Sequence, residues 1–214
     1  MHVLTANWHT YWEGFVGTIE LTAVSSALAL LLGVLIAGFR VSPVPGLRAF
    51  GTVWVTLLRN TPLTLLFFIV VLGLPRFGIS LPFFTFAVLA LSCYTSAFIC
   101  EALRSGINTV PLGQGEAARS LGMTFGQTLS LVVLPQAARS VIGPIGSLLI
   151  ALAKNSAIAG SFSVTELLGS YRTINELGYS IIWTFVWIAV GYLVITLAIS
   201  AVFNLLERRL AVAR

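Results

Sequence analysis

EAARSLGMTFGQTLSLVVLP, residues 116–135, is a polar, helix-forming break in an otherwise oily chain. Its form is defined: Glu116-Ala117-Ala118, three residues, Gly122, nine residues, Val132, one residue, then Leu134-Pro135. Charge is expensive in a bilayer, so a Glu, an Arg and several small residues kept together imply a surface that meets something.

Outward from that stretch, the composition is that of a membrane protein. The chain has 214 residues, 57% hydrophobic and 9% charged, with a mean hydropathy of +0.98. Soluble domains carry roughly 25% charged residues. Each span needs about 20 apolar residues, so five spans with their connections consume the chain as one transmembrane domain over 1–214. No room is left for a soluble catalytic domain. All seven acids are Glu, and the net charge of +5 reads as an orientation signal and lipid contact. No basic stripe suggests nucleic acid. Cys93 and Cys100, seven apart on one helix, lie about 10 Å apart along the axis, too far for a disulfide. The N-terminus MHVLTANWHTYWEG lacks the basic residues and cleavage site of a signal peptide, so the first span is expected to be retained.

The spans are expected at about 14–39, 49–74, 83–105, 137–160 and 180–206, with short coupling helices over about 112–134. Arg40, Arg48, Arg104, Arg119, Arg139, Arg208, Arg209 and Arg214 fall on one side of this topology, and only Arg76 and Arg172 on the other. That bias puts the N-terminus outside and the C-terminus and the 116–135 segment in the cytoplasm of a multi-pass cell-membrane protein. Trp8, Trp12, Trp183 and Trp187 suit the outer interface.

Within the segment, Ala117, Ala118, Leu121 and Phe125 recur at helical spacing as an apolar stripe, with Glu116, Arg119, Ser120 and Gln127 facing elsewhere. Pro111 and Gly113 precede the first short helix, Gly122 marks a turn or close approach, and Pro135 is expected to end the second helix. The competing reading is an amphipathic helix in the headgroups, although such helices are usually rich in Lys. The outer loop, about 161–179, has Val164, Leu167, Leu168, Tyr171 and Ile174 in helical register. Glu166, Arg172 and Glu176 are expected to face water.

Two cations fall inside spans, where a charge costs about 3 kcal/mol. Arg59 is followed by Asn60-Thr61-Pro62, and Lys154 by Asn155-Ser156. Proline frees carbonyls that need other partners, and two cation-led polar clusters at helix interruptions suit an anionic group such as a carboxylate. Against this stand a structural pair of Arg59 with Glu20 or Glu101 and snorkelling of Lys154. Glu101 is expected to pair with Arg104 at i, i+3. No phosphate loop surrounds Lys154, the only lysine, and both histidines lie in the first nine residues. The chain therefore has no means of its own to hydrolyse a nucleotide or activate a serine, and is not expected to be an enzyme.

EAARSLG followed by VVLP resembles the cytoplasmic loop of ABC-importer permeases, in which EAA, Gly, an aliphatic residue and Leu-Pro recur at this spacing. Val132 stands where Ile is commonest. LRNTPLT (58–64), YTSAFICEALRSGINTVPLGQGEAARSLG (94–122), LPQAARS (134–140) and LIALAKNSAIA (149–159) look like the polar-amino-acid (His/Glu/Gln/Arg/opine) branch. RVSP (40–43) and LRNTPLT, with Asn60 for the usual Gly, look most like its actinobacterial glutamate-type members. The likeness spans about 14 to 206.

The resemblance implies an all-α type I ABC importer permease with a cytoplasmic EAA coupling helix. That helix seats in a separate ABC ATPase dimer, with Glu116, Ala117, Ala118, Arg119 and Gly122 as coupling residues. It also implies a second permease subunit, a copy or a related chain, and an extracellular or periplasmic amino-acid-binding protein. ATP and Mg would sit on the ATPase, with no cofactor or metal on this chain. Arg59 and Lys154 would line the substrate path, with Asn60, Thr61, Asn155 and Ser156 second in rank. Glutamate is the expected substrate; glutamine, arginine or another polar amino acid is the alternative. A self-sufficient secondary transporter or channel is the other class, but the internal repeats and midplane acids usual there do not appear.

Overall fold

The structure is a computed structural model and describes residues 2–210. Every regular element among the described residues is helical. A short α1 (His2–Ala6) leads into α2 (Trp8–Val41), a 34-residue apolar helix. Then come α3 (Pro45–Asn60) and α4 (Leu63–Phe68), which continues through a π turn at Ile69–Gly73 and a 3-10 turn at Leu74–Phe77. Helix α5 is Phe83–Asn108. The 116–135 stretch folds as α6 (Leu112–Ser120), α7 (Phe125–Gln127) and a π segment, Thr128–Val133, that runs into α8 (Leu134–Asn155). Then α9 (Ala157–Gly160), α10 (Leu167–Glu176) and α11 (Ile181–Leu210) complete the described chain. Arg214, counted in the charge bias, lies outside the described residues.

Four helical stretches are long and apolar enough to cross a membrane, or five where the bent pair Pro45–Asn60 and Leu63–Phe77 counts as one span. The helix interruption expected after Arg59, within the span over 49–74, is a bend of 107° at Thr61-Pro62. Thr61 is extended (φ −98°, ψ 130°) and Pro62 has no N–H to give. The carbonyls of the last turn of α3 are taken instead by side chains: Asn60 Nδ2 donates to Thr56 O at 2.7 Å, and Thr61 Oγ1 to Leu57 O at 2.7 Å. Before the bend, α3 packs with Ile36, Ala37, Ala97 and Cys100. After it, Leu63, Phe67 and Val71 pack against Leu21, Phe86, Ala87, Val88, Ala90 and Leu91.

The contacts define two ends. At one, Gly51 abuts Arg40, Gly106 abuts Val141 and Gly143 faces Glu207, so Arg40, Arg48, Arg104 and Arg139 gather there. At the other, Tyr11 donates to Trp187 O at 3.0 Å, and Trp8, Trp12 and Trp183 are exposed. Cys93 and Cys100 are both free.

Glu166 corrects the water-facing expectation: it is fully buried. Its carboxylate caps α10, accepting from Leu168 N at 2.9 Å and Gly169 N at 2.5 Å, and Tyr192 Oη donates to it from α11. Beside it, Leu167 N donates to Thr18 Oγ1 of α2 at 2.9 Å. Burial pushes the Glu166 carboxyl up, against the pull of Tyr192 and of the two amides. One side chain thus ties α10 to α11, with the α2 contact adjoining it. The apolar register of the loop is as expected, since Val164, Leu167 and Ile174 are buried.

Candidate functional site: a coupling loop and an intramembrane cleft

Helix α6 starts on Pro111, so Gly113 lies inside it rather than before it. It ends in a Schellman motif: Met123 N donates to Ala118 O at 3.2 Å and Gly122 N to Arg119 O at 2.9 Å. This closure needs a left-handed residue, and Gly122 has φ +83° with open space around it. The glycine of the motif is therefore a turn requirement, not a close approach. Thr124 then starts α7 with a capping box, accepting from Gln127 N at 3.3 Å while Gln127 Oε1 accepts from Thr124 N at 2.9 Å.

Pro135 does not end the helix. The chain from Phe125 to Gly160 is one continuous helical stretch, because the wide π turn over 128–133 absorbs the proline. Gln136 Nε2 donates to Val132 O at 2.8 Å and satisfies a carbonyl near the disturbance.

The expected apolar stripe splits. Ala118 is buried, whereas Leu121 and Phe125 stand 84% and 70% exposed, joined by Leu112 at 85%. Glu116, Ala117 and Arg119 are exposed as well, and neither charge has an ion-pair partner among the described residues. Large apolar side chains around an unpaired acid and base make a surface shaped for a partner.

The second constellation centres on Glu101. Arg40 Nη1 donates to Oε2 at 2.5 Å; Arg104 Nε donates to Oε1 at 3.0 Å, with its Nη2 on the same oxygen. The expected Arg104 pair is present. Arg59 reaches the same carboxylate only at 3.6 Å from Oε2, and makes no hydrogen bond among the described residues. Its guanidinium lies over the Phe98 ring, 5.5 Å from the centroid. Phe98 lines a cleft of about 130 Å³ with Tyr94, Thr95, Leu148, Ala151, Leu152 and Asn155. Asn155 lines this cleft between α5 and α8 directly, whereas Arg59 is not one of its lining residues and adjoins it only through the Phe98 ring.

The other members of the two clusters part ways. Lys154 is exposed, without an ion pair among the described residues. Asn60 and Thr61 are engaged in capping α3, and Ser156 is fully buried, donating to Ala153 O at 2.7 Å. Tyr94, Thr95 and Phe98 were not singled out from the sequence. Their signal was their i, i+1, i+4 spacing on a span beside the charged turn.

The chain is thus a helical membrane protein with an exposed polar loop and a cation stacked on one wall of a small cleft. Residues 29–212 match the family described as binding-protein-dependent transport system inner membrane component, and the chain belongs to that family. It is 38% identical over 208 residues to the probable glutamine ABC transporter permease protein GlnM of Bacillus subtilis, covering 97% of this chain and 96% of that one. It is 41% identical over 210 residues to the glutamate transport system permease protein GluC of Corynebacterium glutamicum, covering 92% of each. Among solved structures it is similar to an amino acid ABC transporter crystallised with histidines, at 32% identity and TM-score 0.91, covering 96% of both chains. This chain is a permease component of a binding-protein-dependent transport system and not an enzyme.

Proposed function

We propose that the chain forms half of the translocation path for a polar amino acid, glutamate foremost, and that the cleft beside Arg59 receives the substrate's carboxylate. The observation that carries this is Arg59 itself: a cation over Phe98 at a broken helix, with guanidinium donors unspent. Discontinuous helices are where transporters commonly place their sites. Asn155 and Lys154 supply donors from α8, while Asn60, Thr61 and Ser156 support the backbone around them.

The cleft, about 130 Å³, is well below the roughly 300 Å³ of small ligand sites. Lys154 is exposed within a span, an expensive position without a polar neighbour. Both features suit a second permease subunit, identical or related, that closes the cleft. The arginine-rich end then faces the cytoplasm, with the N-terminus outside and the C-terminus inside. There Glu116, Ala117, Ala118, Arg119 and Gly122 dock on an ABC ATPase dimer, which holds ATP and Mg. A binding protein delivers the amino acid to the tryptophan-rich end. Glutamine is the second reading, favoured by the likeness to a permease named for it.

Arg59→Ala or Lys154→Ala should weaken uptake of carboxylate-bearing substrates by the reconstituted complex about tenfold or more, the scale of a lost hydrogen bond to a charged group. Assembly should survive. Unchanged uptake kinetics in both variants reject the cationic site. Substrate-stimulated ATPase activity across the amino acids ranks glutamate against glutamine.

A further inference from the structure

Three guanidinium groups surround one carboxylate, and they hold it unequally. Arg40 occupies Oε2 at 2.5 Å, and Arg104 places two donors on Oε1. Arg59 comes third, at 3.6 Å and without a hydrogen bond, with its side chain 42% exposed. Arg59 is also the one that stacks on a cleft-lining ring. Among the described residues no other acid lies within ion-pair distance of the three arginines. Their formal charges leave an excess of two positive charges in the cluster around Glu101, which adjoins the cleft through Arg59 and Phe98.

We infer that Glu101 sets the charge preference of the cleft, as an internal carboxylate that competes with the substrate's carboxylate for Arg59. The inference rests on the reading of Arg59 as a substrate contact and names the residue that tunes it. Glu101 is a positioning residue: it touches Arg40, Arg59 and Arg104 and acts on the ligand only through them. With Glu101 charged, the cluster tolerates a carboxamide or a carboxylate side chain, with a lean toward the anion. With that negative charge removed, the lean grows. One unit charge several ångströms away in a partly screened site is worth on the order of tenfold in affinity.

The test is direct binding of radiolabelled glutamate and glutamine to the purified permease–ATPase complex, without binding protein. Glu101→Gln should raise the glutamate-to-glutamine affinity ratio on the order of tenfold, and Glu101→Asp should restore it toward the wild-type value. Arg104→Gln should move the ratio the opposite way: it removes one positive charge and frees Oε1 to draw Arg59 closer. This second variant also serves where Glu101→Gln does not assemble. A ratio unmoved by the variants that assemble, or moved in the same direction by Glu101→Gln and Arg104→Gln, overturns the inference while leaving Arg59 as a contact. Binding of neither amino acid to the wild-type complex, or binding indifferent to Arg59→Ala, overturns the site itself.

Discussion

Glu116→Lys is expected to cut substrate-stimulated ATP hydrolysis by the assembled transporter at least about tenfold while the chain still inserts and assembles. Glu116 is exposed, and no residue of its own chain pairs with it among the described residues. Reversing it should leave the fold of this chain intact, since surface substitutions usually change stability by no more than about 0.5 kcal/mol. In an interface the same change sets a like charge against whatever cation meets the glutamate. Loss of one partner of a buried charge pair there costs about 2–5 kcal/mol. Around it, Leu112, Leu121 and Phe125 provide the apolar contact, so binding should weaken without vanishing. The measurement is ATPase rate with and without substrate, beside membrane-fraction yield. Normal stimulation in the variant argues against docking at α6.

Gly160→Ala is expected to be strongly damaging. A Cβ there would sit 2.0 Å from Glu166 Oε1 and 2.8 Å from Gly169 N. Neither neighbour is a flexible tip: the carboxylate is held by two amides and Tyr192 Oη, and the amide belongs to α10. Overpacking a well-filled interior costs about 1–3 kcal/mol, and disturbing a buried, fully partnered carboxylate adds to that. Thermal unfolding of the purified complex should shift down by several degrees, with uptake falling in parallel. A melting temperature equal to wild type would mean that the α9–α10 junction is looser than its contacts indicate. Gly113→Ala is the control, because a Cβ there meets nothing within 4 Å.

Much of this fold was legible because the bilayer simplifies the code. Long apolar runs marked α2, α5, α8 and α11, and Arg59-Asn60-Thr61-Pro62 marked a weak point in the second crossing. The 107° bend was not legible, since hydropathy averages over a window and does not register direction. Pro135 misled for a related reason: proline ends helices as a rule, and only three-dimensional context showed a π turn absorbing it. Glu166 misled more sharply. Periodicity placed it with Arg172 and Glu176, but its burial depends on Tyr192, and its neighbour Leu167 reaches Thr18, partners distant in sequence. A carboxylate just before an apolar helix start was the available signal, read as surface rather than as a cap.

At the candidate site, the polar clusters were visible and their division of labour was not. Asn155 lines the cleft and Arg59 stacks on Phe98 in its wall, whereas Asn60 and Thr61 spend their hydrogen bonds on the backbone. The sequence offered Glu20 and Glu101 as partners for Arg59 without choosing; the structure places Glu101 beside it.

The π turn between Thr128 and Val133 has a mechanical consequence. It stores a surplus residue between the docking loop and the crossing that carries Asn155. In an α-helix one residue corresponds to about 100° of rotation and 1.5 Å of travel. A push on the loop can therefore be taken up by shifting that surplus along the helix, turn by turn, without breaking the rod. Under the docking proposed above, the segment from Glu116 to Pro135 is both the grip on the motor and the slack in the transmission.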